Sequence, residues 1–395
     1  MKGALQTSEK LGTRGVLVVL SVLATLGAMV GIAPAAHAAS TLVVPRDYRT
    51  IQAAVDAAAS GDTILVQGGT YTEQVVVSGK DLKLKGVGNG SPVIKSPAQL
   101  TPFAQDVRHG VPVTSVVRIA HGAHVRMSGF TVTGPVPCGQ LASGITALQS
   151  SSLDLSQSRV IDMLPAPSCP ADQAFGRGVT IGLPDFIQVD GAAGSTASGR
   201  ITRVVVTRYQ TDGFNFNGPS EGTPSRVIAK NNVVTGGAQI PAVQAGIVVG
   251  GAVATVTGNL VSHAVCTFPG CGGDPINEFQ SSGIGAIGTA SGTQISHNQV
   301  SDADIGIYQV FSPNCCQIRH NRLIDNRFFG IAIQDGDGTT AHNVISGGQV
   351  GIGVIADAVD TTGILRHDRI RRTSVAPVRE IQCCGFKATA VVKPD

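Results

Sequence analysis

The chain has 395 residues, with 29 Lys and Arg against 26 Asp and Glu, a net charge of +3 and no tryptophan. This near balance, without a run of basic residues, excludes the tracts that commonly bind nucleic acid or dock on a membrane surface. We therefore expect no nucleic-acid partner and, once a leader is removed, no membrane partner. The 50 glycines and a body rich in Val, Ile, Thr and Asn favour many short strands joined by tight turns.

The first segment has the pattern of a secretory leader. A basic start precedes an uncharged apolar run at 15–32, and an Ala-His-Ala motif ends at Ala38. Small residues three and one before a cut are typical of signal-peptide cleavage, so we predict a signal peptide at 1–38 and a secreted, extracellular domain at 39–395. A retained membrane anchor is the alternative, and no later segment approaches the roughly 20 apolar residues that a spanning helix needs.

Residues 41–95 form an opening unit that we expect to be an N-terminal cap and the first coils of a repeat. A helix is predicted over 50–59, because Thr50 is a good N-cap and Gly61 follows the end. One face of this helix is apolar: Ile51, Ala54, Val55 and Ala58. A lone amphipathic helix ahead of short strands is predicted to cover the open end of a solenoid core.

The second half of the chain repeats. Asn298, Asn321 and Asn343 recur at steps of 23 and 22 residues. Weaker copies of the same position are Asn232, Asn259 and Asp368. Most copies are followed by a Gly-Ile pair, which begins at Gly246, Gly283, Gly306, Gly330 and Gly351. A period in the low twenties with several short strands is typical of a solenoid.

Two kinds of solenoid fit this period. A leucine-rich repeat needs a dense leucine consensus, which the sequence lacks. A parallel β-helix needs short apolar strands, glycine at corners and stacked asparagines, whose side chains tolerate the left-handed conformation and bond to neighbouring backbone. We therefore predict an all-β fold: a single-stranded, right-handed parallel β-helix of about ten coils, about 4.8 Å apart, with an N-terminal capping helix.

All eight cysteines follow the predicted leader, and an even number in an exported chain favours disulfides. We predict that Cys266 bridges Cys271 across a short loop and that Cys138 bridges Cys169 between adjacent coils. Each pair of neighbouring cysteines should place a sulfur near another cysteine, at 315–316 and at 383–384. A metal or redox site is the alternative, but no Cys-x-x-Cys spacing supports it.

The opening unit resembles the first coil of many secreted right-handed β-helix proteins. The resemblance rests on Val-Pro-Arg-Asp-Tyr-Arg-Thr-Ile-Gln-Ala-Ala-Val at 44–55, Gly-Asp-Thr-Ile at 61–64 and Gly-Thr-Tyr at 69–71. The later repeats are similar to the same superfamily, which includes pectate lyases, pectin methylesterases, polygalacturonases, alginate epimerases and the periplasmic accessory protein of nitrous oxide reductase. The resemblance covers most of 39–395. It implies the fold but no particular activity, because one fold hosts many activities.

Two enzyme motifs are present in part. Asp-Phe-Ile at 185–187 matches a pectin methylesterase motif, but that family's Gly-Arg-Pro-Trp is impossible in a chain without tryptophan, so we interpret the match as coincidental. Gln-Thr-Asp-Gly-Phe-Asn at 210–215 keeps the Thr-Asp-Gly of a polygalacturonase motif, without that family's later Asp-Asp and Gly-His-Gly. No specific enzyme family is therefore matched.

The strands that begin at Gly-Ile form the sheet along which sugars lie in many enzymes of this superfamily. Alternation places their isoleucines inside the coil. The residues that follow should face outward in one column: Asn215, Val248, Gly285, Tyr308, Ala332 and Gly353. This column contains no carboxylate and no cation, so we expect a smooth outer wall without the site of an ordinary pectinase.

Acidic residues gather at the neighbouring corner. Asp302 and Asp325 each lie four residues after a repeat asparagine, so stacking should bring them roughly 5 Å apart. Such a pair suits retaining glycoside hydrolysis or Ca²⁺ binding, and a solvated charged corner is the alternative. The predicted catalytic residues are Asp302 and Asp325, with Asp304 and Tyr308 at the edge of the site. Arg327 is the cation expected to pair with Asp304.

The histidines that precede the repeat asparagines should also stack, at His297, His320, His342 and His367. Imidazoles on successive coils are potential ligands of a transition metal. Rings one coil apart must bend to converge on one ion, so we interpret this column as exposed histidines beside the asparagines.

Two functions fit these observations. The first is a secreted, carbohydrate-active β-helix, a lyase or hydrolase acting on an acidic polysaccharide, which the fold resemblance and the aspartate corner favour. The second is a non-catalytic extracellular surface protein or carbohydrate-binding scaffold, which the smooth wall and the missing motifs favour. The lack of tryptophan removes the best sugar-stacking side chain from both. We expect a monomer, and the sequence names no cofactor beyond a Ca²⁺ that the aspartate corner would suit.

Overall fold

The computed structural model describes residues 38–289 and 291–393. The predicted leader lies outside this range except for Ala38, so its cleavage stays a prediction. Regular structure in the described residues is almost entirely strand, arranged in three long sheets. In this part of the chain, no helix has the length and apolar character needed to cross a membrane.

The three sheets, named A, B and C, receive strands in that order as the chain winds. Sheet A has 13 strands: Thr41–Val44, Thr63–Gln67, Leu82–Val87, His124–Ser128, Ser151–Ser156, Ala197–Thr202, Ser225–Lys230, Ala252–Thr257, Thr293–Ser296, Cys316–Arg319, Gly338–Ala341, Thr361–Arg366 and Ala388–Lys393. Sheet B has 11 strands: Thr70–Thr72, Val93–Lys95, Thr131–Thr133, Arg159–Met163, Val205–Tyr209, Val233–Thr235, Leu260–Ser262, Gln299–Ser301, Arg322–Ile324, Val344–Ser346 and Arg369–Arg371. Sheet C has 14 strands: Val75–Ser78, Ala104–Asp106, Val111–Ala120, Gln140–Ala147, Ala174–Ile181, Leu183–Val189, Ala192–Ser195, Asp212–Asn217, Ala245–Gly250, Ser282–Ile287, Ile305–Val310, Phe329–Gln334, Val350–Ala356 and Ala376–Gln382.

Successive coils pair their strands in parallel. Ile307 in sheet C, for example, is in register with Ile284 on the coil before and Ile331 on the coil after. A connection between parallel strands of one sheet is right-handed in nearly all proteins. The 11 strands of sheet B mark 11 full coils within the described residues. The predicted right-handed parallel β-helix of about ten coils is therefore confirmed.

The predicted helix caps the first coils. It runs over Ile51–Ala57, and the Thr50 side chain accepts a hydrogen bond from the Ala53 N–H at its start. The Glu73 carboxylate accepts two more N–H groups of the first turn, from Ile51 (2.9 Å) and Gln52 (2.8 Å). These contacts satisfy backbone donors that every helix start leaves unpaired. A short 3-10 helix is also present, at Ala171–Gln173.

Apolar side chains stack in columns inside the solenoid. The isoleucines of the Gly-Ile pairs form one such column and are fully buried: Ile247, Ile284, Ile307, Ile331 and Ile352. Burying a side chain of this size contributes about 1.5–3 kcal/mol. The glycine ahead of each isoleucine is needed because the next coil lies against it. A Cβ on Gly283 would lie 2.9 Å from the backbone oxygen of Gly306.

The repeat asparagines form a continuous buried ladder, as predicted. The Asn343 side-chain oxygen accepts the backbone N–H of Asn321 at 2.9 Å and its side-chain amide at 3.0 Å. Asn298, Asn259 and Asn232 repeat this pattern on earlier coils. Each side-chain amide also donates to a carbonyl on the preceding coil, as Asn321 does to Ile295. The ladder ends at Asp368, which accepts both donors of Asn343 at 2.8 Å.

The disulfides follow the predicted pairs. Cys138 bonds to Cys169 between adjacent coils, and Cys266 bonds to Cys271. In each pair of neighbouring cysteines the two sulfurs bond to one another, at 315–316 and 383–384.

An antiparallel layer interrupts the plain solenoid. Leu183–Val189 pairs antiparallel with Ala192–Ser195 on one side and with Ala104–Asp106 on the other. Its apolar residues Leu183 and Ile187 belong to a second buried cluster with side chains from the outer face of sheet C. This layer therefore covers part of that face and gives it a raised wall.

Candidate functional site

The structure places Asp302 and Asp325 at equivalent corners of consecutive coils. The Asp302 backbone N–H donates to the oxygen of Ile324, and both aspartates are exposed with φ of 54° and 50°. Aspartate tolerates this left-handed conformation, which the turn requires at each coil. Gly347, the equivalent corner residue on the next coil, lies against the Asp325 carboxylate. The corner is assembled as the repeat predicts, and its chemical role stays a prediction.

Asp304 lies inside the corner. Its carboxylate is fully buried, accepts the backbone N–H groups of Cys266 (2.8 Å) and Ser281 (3.0 Å), and forms a salt bridge with Arg327 at 2.9 Å. Burial raises the pKa of Asp304, and these three partners oppose the rise. The expected pairing with Arg327 is present. Asp304 thus links the segment that precedes the strand Ser282–Ile287 to the corner.

Tyr308 lies on the outer face of sheet C, away from the aspartates. Its hydroxyl donates to the side-chain oxygen of Gln334 at 2.6 Å, and burial raises its pKa above the ordinary value. Of the four predicted site residues, Asp302 and Asp325 lie at one solvated corner, Asp304 is buried, and Tyr308 lies on sheet C.

The four predicted histidines form an exposed stack. Ring centroids are 5.1 Å apart between His297 and His320, 5.0 Å between His320 and His342, and 4.7 Å between His342 and His367. Each adopts a positive φ at the turn between sheets A and B. Desolvation in the stack, and the charges of its neighbours and of Arg319, lower the pKa of His320. Face-to-face rings about 5 Å apart do not converge on one ion.

A cleft of about 420 Å³ opens on the outer face of sheet C, beside the antiparallel layer. Its size lies in the range of small-molecule sites. The residues that carry charge or hydrogen-bonding groups into it are Arg108, Arg177, Asp185, Asp212, Asn215 and Asn217. Two sheet strands, Ala174–Ile181 and Asp212–Asn217, supply the floor, and Leu183–Val189 supplies a wall.

The floor is an ion pair extended by amides. Arg177 and Asp212 lie opposite each other on neighbouring strands, with Nε and Oδ2 2.7 Å apart and side chains only 14% and 13% exposed. Asn215 donates to the same oxygen at 2.9 Å, and Asn217 donates to Asn215. Burial raises the pKa of Asp212, while Arg177 and Asn215 act in the opposite direction.

The wall brings a second carboxylate and a second cation. Asp185 accepts the backbone N–H of Ser220 at 2.8 Å, which fixes the carboxylate at the cleft rim. The Arg108 guanidinium lies 3.1 Å from the centre of the Phe186 ring, a cation–π contact that holds it over the layer. The cleft therefore combines two carboxyls and two guanidinium groups from four separate segments.

Both motif fragments that the sequence analysis set aside line this cleft. Asp185 and Phe186 belong to the Asp-Phe-Ile match, and Asp212 belongs to the Thr-Asp-Gly match. The expected outward column from Asn215 to Gly353 is in register as predicted and carries no charge. Asp212 was not among the predicted site residues, because it begins its strand three residues before that column. The sequence signal for this cleft was the presence of two partial enzyme motifs in one chain, Asp-Phe-Ile at 185–187 and Thr-Asp-Gly at 211–213.

Three potential metal ligands lie close together among the described residues: Asp357, Cys383 and Cys384. The two sulfurs form a disulfide with one another, so they are not available as thiolate ligands. The aspartate corner keeps oxygen ligands of the type that Ca²⁺ takes.

Comparison with known proteins identifies the fold. No protein-family model matches the chain, and no curated protein matches it in sequence. A lacto-N-biosidase of family GH136 from Eubacterium ramulus has a TM-score of 0.56 and 12% identity, covering 85% of this chain and 63% of that one. The Agl-KA catalytic domain has a TM-score of 0.51 and 12% identity, with 91% and 69% covered. A family 28 exopolygalacturonase from Yersinia enterocolitica has a TM-score of 0.50 and 8% identity, with 91% and 76% covered.

The present chain thus spans less than two thirds of the lacto-N-biosidase structure. Similarity at 8–12% identity shows a shared right-handed parallel β-helix. It does not carry an activity from those proteins to this one.

Proposed function

We propose that this protein is a secreted, carbohydrate-active β-helix that acts on an acidic polysaccharide in the cleft over sheet C. The observation that supports this most directly is Asp212, a carboxyl 13% exposed at the floor of an open cleft. A carboxyl with a raised pKa beside a cavity of ligand size is a typical general acid. Export is supported by the predicted leader and by the disulfides, which persist outside the reducing cytosol.

Asp212 is the proposed proton donor. Because burial raises its pKa, more molecules carry the proton toward neutral pH than an exposed aspartate would allow. Arg177 and Asn215 hold the carboxyl in one orientation. Positioning by neighbours of this kind is what general acid catalysis requires.

Asp185 is the proposed partner in hydrolysis. In that step Asp212 gives its proton to the glycosidic oxygen, and the bond from this oxygen to the anomeric carbon breaks. Asp185 takes a proton from a water molecule, whose oxygen bonds to the anomeric carbon. Proton exchange with solvent then restores both carboxyls. This single displacement inverts the anomeric configuration, and it requires the two carboxyl groups to lie about 6.5–9.5 Å apart.

The two arginines favour elimination as a second candidate in the same cleft. A guanidinium pairs well with a planar carboxylate, and Arg108 and Arg177 both reach this cavity. With the uronate carboxylate neutralised, a carboxylate of the cleft removes the proton at C5. The bond from C4 to the glycosidic oxygen then breaks, that oxygen takes the proton of Asp212, and the product carries a C4–C5 double bond.

The test is a panel of polysaccharides with the purified full chain. Polygalacturonate and alginate are compared with neutral dextran, and both new reducing ends and ultraviolet absorbance of unsaturated products are followed. Hydrolysis yields reducing ends alone, whereas elimination yields both signals. Asp212→Asn should remove the activity, and Asp172→Asn, an exposed aspartate outside the cleft, serves as the control.

Binding without cleavage of any polymer would favour the scaffold function instead. If neither binding nor cleavage is seen with acidic polymers, the proposal is wrong.

A further inference from the structure

The strands of sheet A carry many more cations than anions. Its strands contain nine Lys or Arg residues: Lys83, Lys85, Arg126, Arg200, Arg226, Lys230, Arg319, Arg366 and Lys393. They contain one acidic residue, Asp154. Eight of them, all but Lys393, lie next to a buried apolar residue of the same strand, so their side chains leave the outer face of the sheet. A chain of nearly neutral composition therefore presents one strongly basic surface.

Strand register aligns the first cations in a column. Lys83 pairs with Arg126, Arg126 with Asp154, and Asp154 with Arg200 on four successive strands of sheet A. Arg226 follows on the next coil, opposite Ser198, and so lies two residues before Ile228, the position opposite Arg200. Because coils are spaced about 4.8 Å apart, this column places Lys83, Arg126 and Arg200 on one line along the solenoid axis, with Asp154 between the two arginines.

The column lines a groove of about 800 Å³, which we call the sheet A groove. Its cations are Lys83, Arg126, Arg200 and Arg226, all exposed. Two carboxylates, Asp81 and Asp154, also line the groove. Among the described residues, neither Asp154 nor any of the four cations forms a salt bridge or a side-chain hydrogen bond. Four cations against two carboxylates leave the groove with an excess of positive charge, which an anionic ligand would offset.

We propose that the sheet A groove is a second binding surface, for an extended anionic polysaccharide that lies along the solenoid axis. Such a polymer presents one carboxylate or sulfate per sugar at regular intervals, and it matches a row of cations on stacked coils. Guanidinium groups bind carboxylates through paired hydrogen bonds. The site is on a different sheet from the cleft over sheet C, and it does not depend on any cleavage there.

The side chains of the groove favour a polysaccharide over a nucleic acid. No Phe or Tyr occurs among the residues that line it. Single-stranded nucleic acids bind mainly through bases stacked on aromatic rings, in addition to contacts with their phosphates. A groove of cations and small polar groups such as Ser152, Ser198 and Thr255 instead suits hydroxyl and carboxylate groups.

The experiment measures binding of size-defined oligogalacturonate by calorimetry. It uses full-length Asp212→Asn protein, so that cleavage does not consume the ligand. Arg126→Gln, Arg200→Gln and Arg226→Gln are combined in one variant. The matched control combines Arg159→Gln, Arg322→Gln and Arg369→Gln, which remove the same charge from exposed positions of sheet B. Thermal unfolding of both variants checks that they fold.

We expect the groove variant to raise Kd at least tenfold and the control variant to change it less than twofold. The dependence of binding on salt should also weaken in the groove variant alone, because fewer counterions are displaced. Equal losses in both variants would overturn the proposal, as would an unchanged Kd in the groove variant. Tighter binding of single-stranded DNA of equal charge would assign the groove to nucleic acid.

The result of this binding experiment can be told apart from the result of the cleavage test on the cleft over sheet C. Loss of binding in the groove variant of a protein that cleaves nothing would support the groove and reject the cleft. Cleavage by protein that keeps Asp212, together with unchanged oligogalacturonate binding in the groove variant, would do the reverse.

Discussion

The side-chain oxygen of Asn321 accepts two hydrogen bonds from Asn298 on the preceding coil, one from the backbone N–H at 3.0 Å and one from the side-chain amide at 3.1 Å. Asn321 then makes the same two bonds to Asn343. Asn298 and Asn321 are both buried, so a polar group that loses its partner here cannot form a hydrogen bond to water instead. The ladder therefore links the stability of each coil to that of its neighbours.

Asn321→Ala should lower the free energy of unfolding by about 2–4 kcal/mol, because it leaves the Asn298 N–H and the Ile295 carbonyl buried without partners and opens a small cavity. Chemical denaturation followed by circular dichroism measures this. Gln299→Ala, at an exposed position of the adjacent strand, should cost about 0.5 kcal/mol or less. Similar losses in the two variants would mean that the ladder is not a special source of stability.

The cleft and the aspartate corner make opposite predictions for activity. If Asp212 donates the proton, Asp212→Asn should lower kcat/KM about 10²–10⁴-fold, and Asp325→Asn should leave it within about twofold, the small effect typical of a solvated surface charge. Initial rates on the preferred polymer decide between them. A large loss in Asp325→Asn, with little change in Asp212→Asn, would place the chemistry at the corner with Asp302.

The pH profile should respond to Arg177. Burial raises the pKa of Asp212, so the acid form required for proton donation is lost only as pH rises through that raised value. Arg177 lowers the same pKa, and Arg177→Gln should therefore move the alkaline limb of kcat/KM to higher pH. Arg159→Gln, on sheet B, should leave the limb in place. A shift toward lower pH would contradict the proposed role of Asp212.

The histidine stack should depend on pH in a defined direction. The pKa of His320 is lowered in the folded protein, so the unfolded chain binds the proton more tightly. Stability from this group is fully present above the ordinary pKa of histidine and is lost as pH falls through the lowered one.

His342→Asn should raise the pKa of His320, because it removes one neighbouring charge from the stack. Asparagine is chosen because the backbone φ of 56° at this position suits it. NMR titration of the imidazole signals measures the shift. His263→Asn changes an exposed histidine outside the stack and should leave the His320 titration as it was.

The architecture was predictable from the sequence because its causes are local and repeated. Asn298, Asn321 and Asn343 follow one another at steps of 23 and 22 residues, and each is followed by a Gly-Ile pair and by apolar alternation. Each coil meets the same steric conditions, so one pattern predicts the ladder, the buried isoleucines and the corner that Asp302 and Asp325 share. The cap at Thr50 is equally local, because a helix start depends on the residues beside it.

The cleft and the basic face were decided by the tertiary structure alone. Arg108, Arg177, Asp185 and Asp212 come from four segments, and only an antiparallel layer folded over sheet C brings them to one cavity. The cations of sheet A are single residues within apolar strands, far apart in a chain whose overall charge is nearly balanced. Period and composition carry no information on such contacts, because register between coils and inserted loops determine which distant side chains meet.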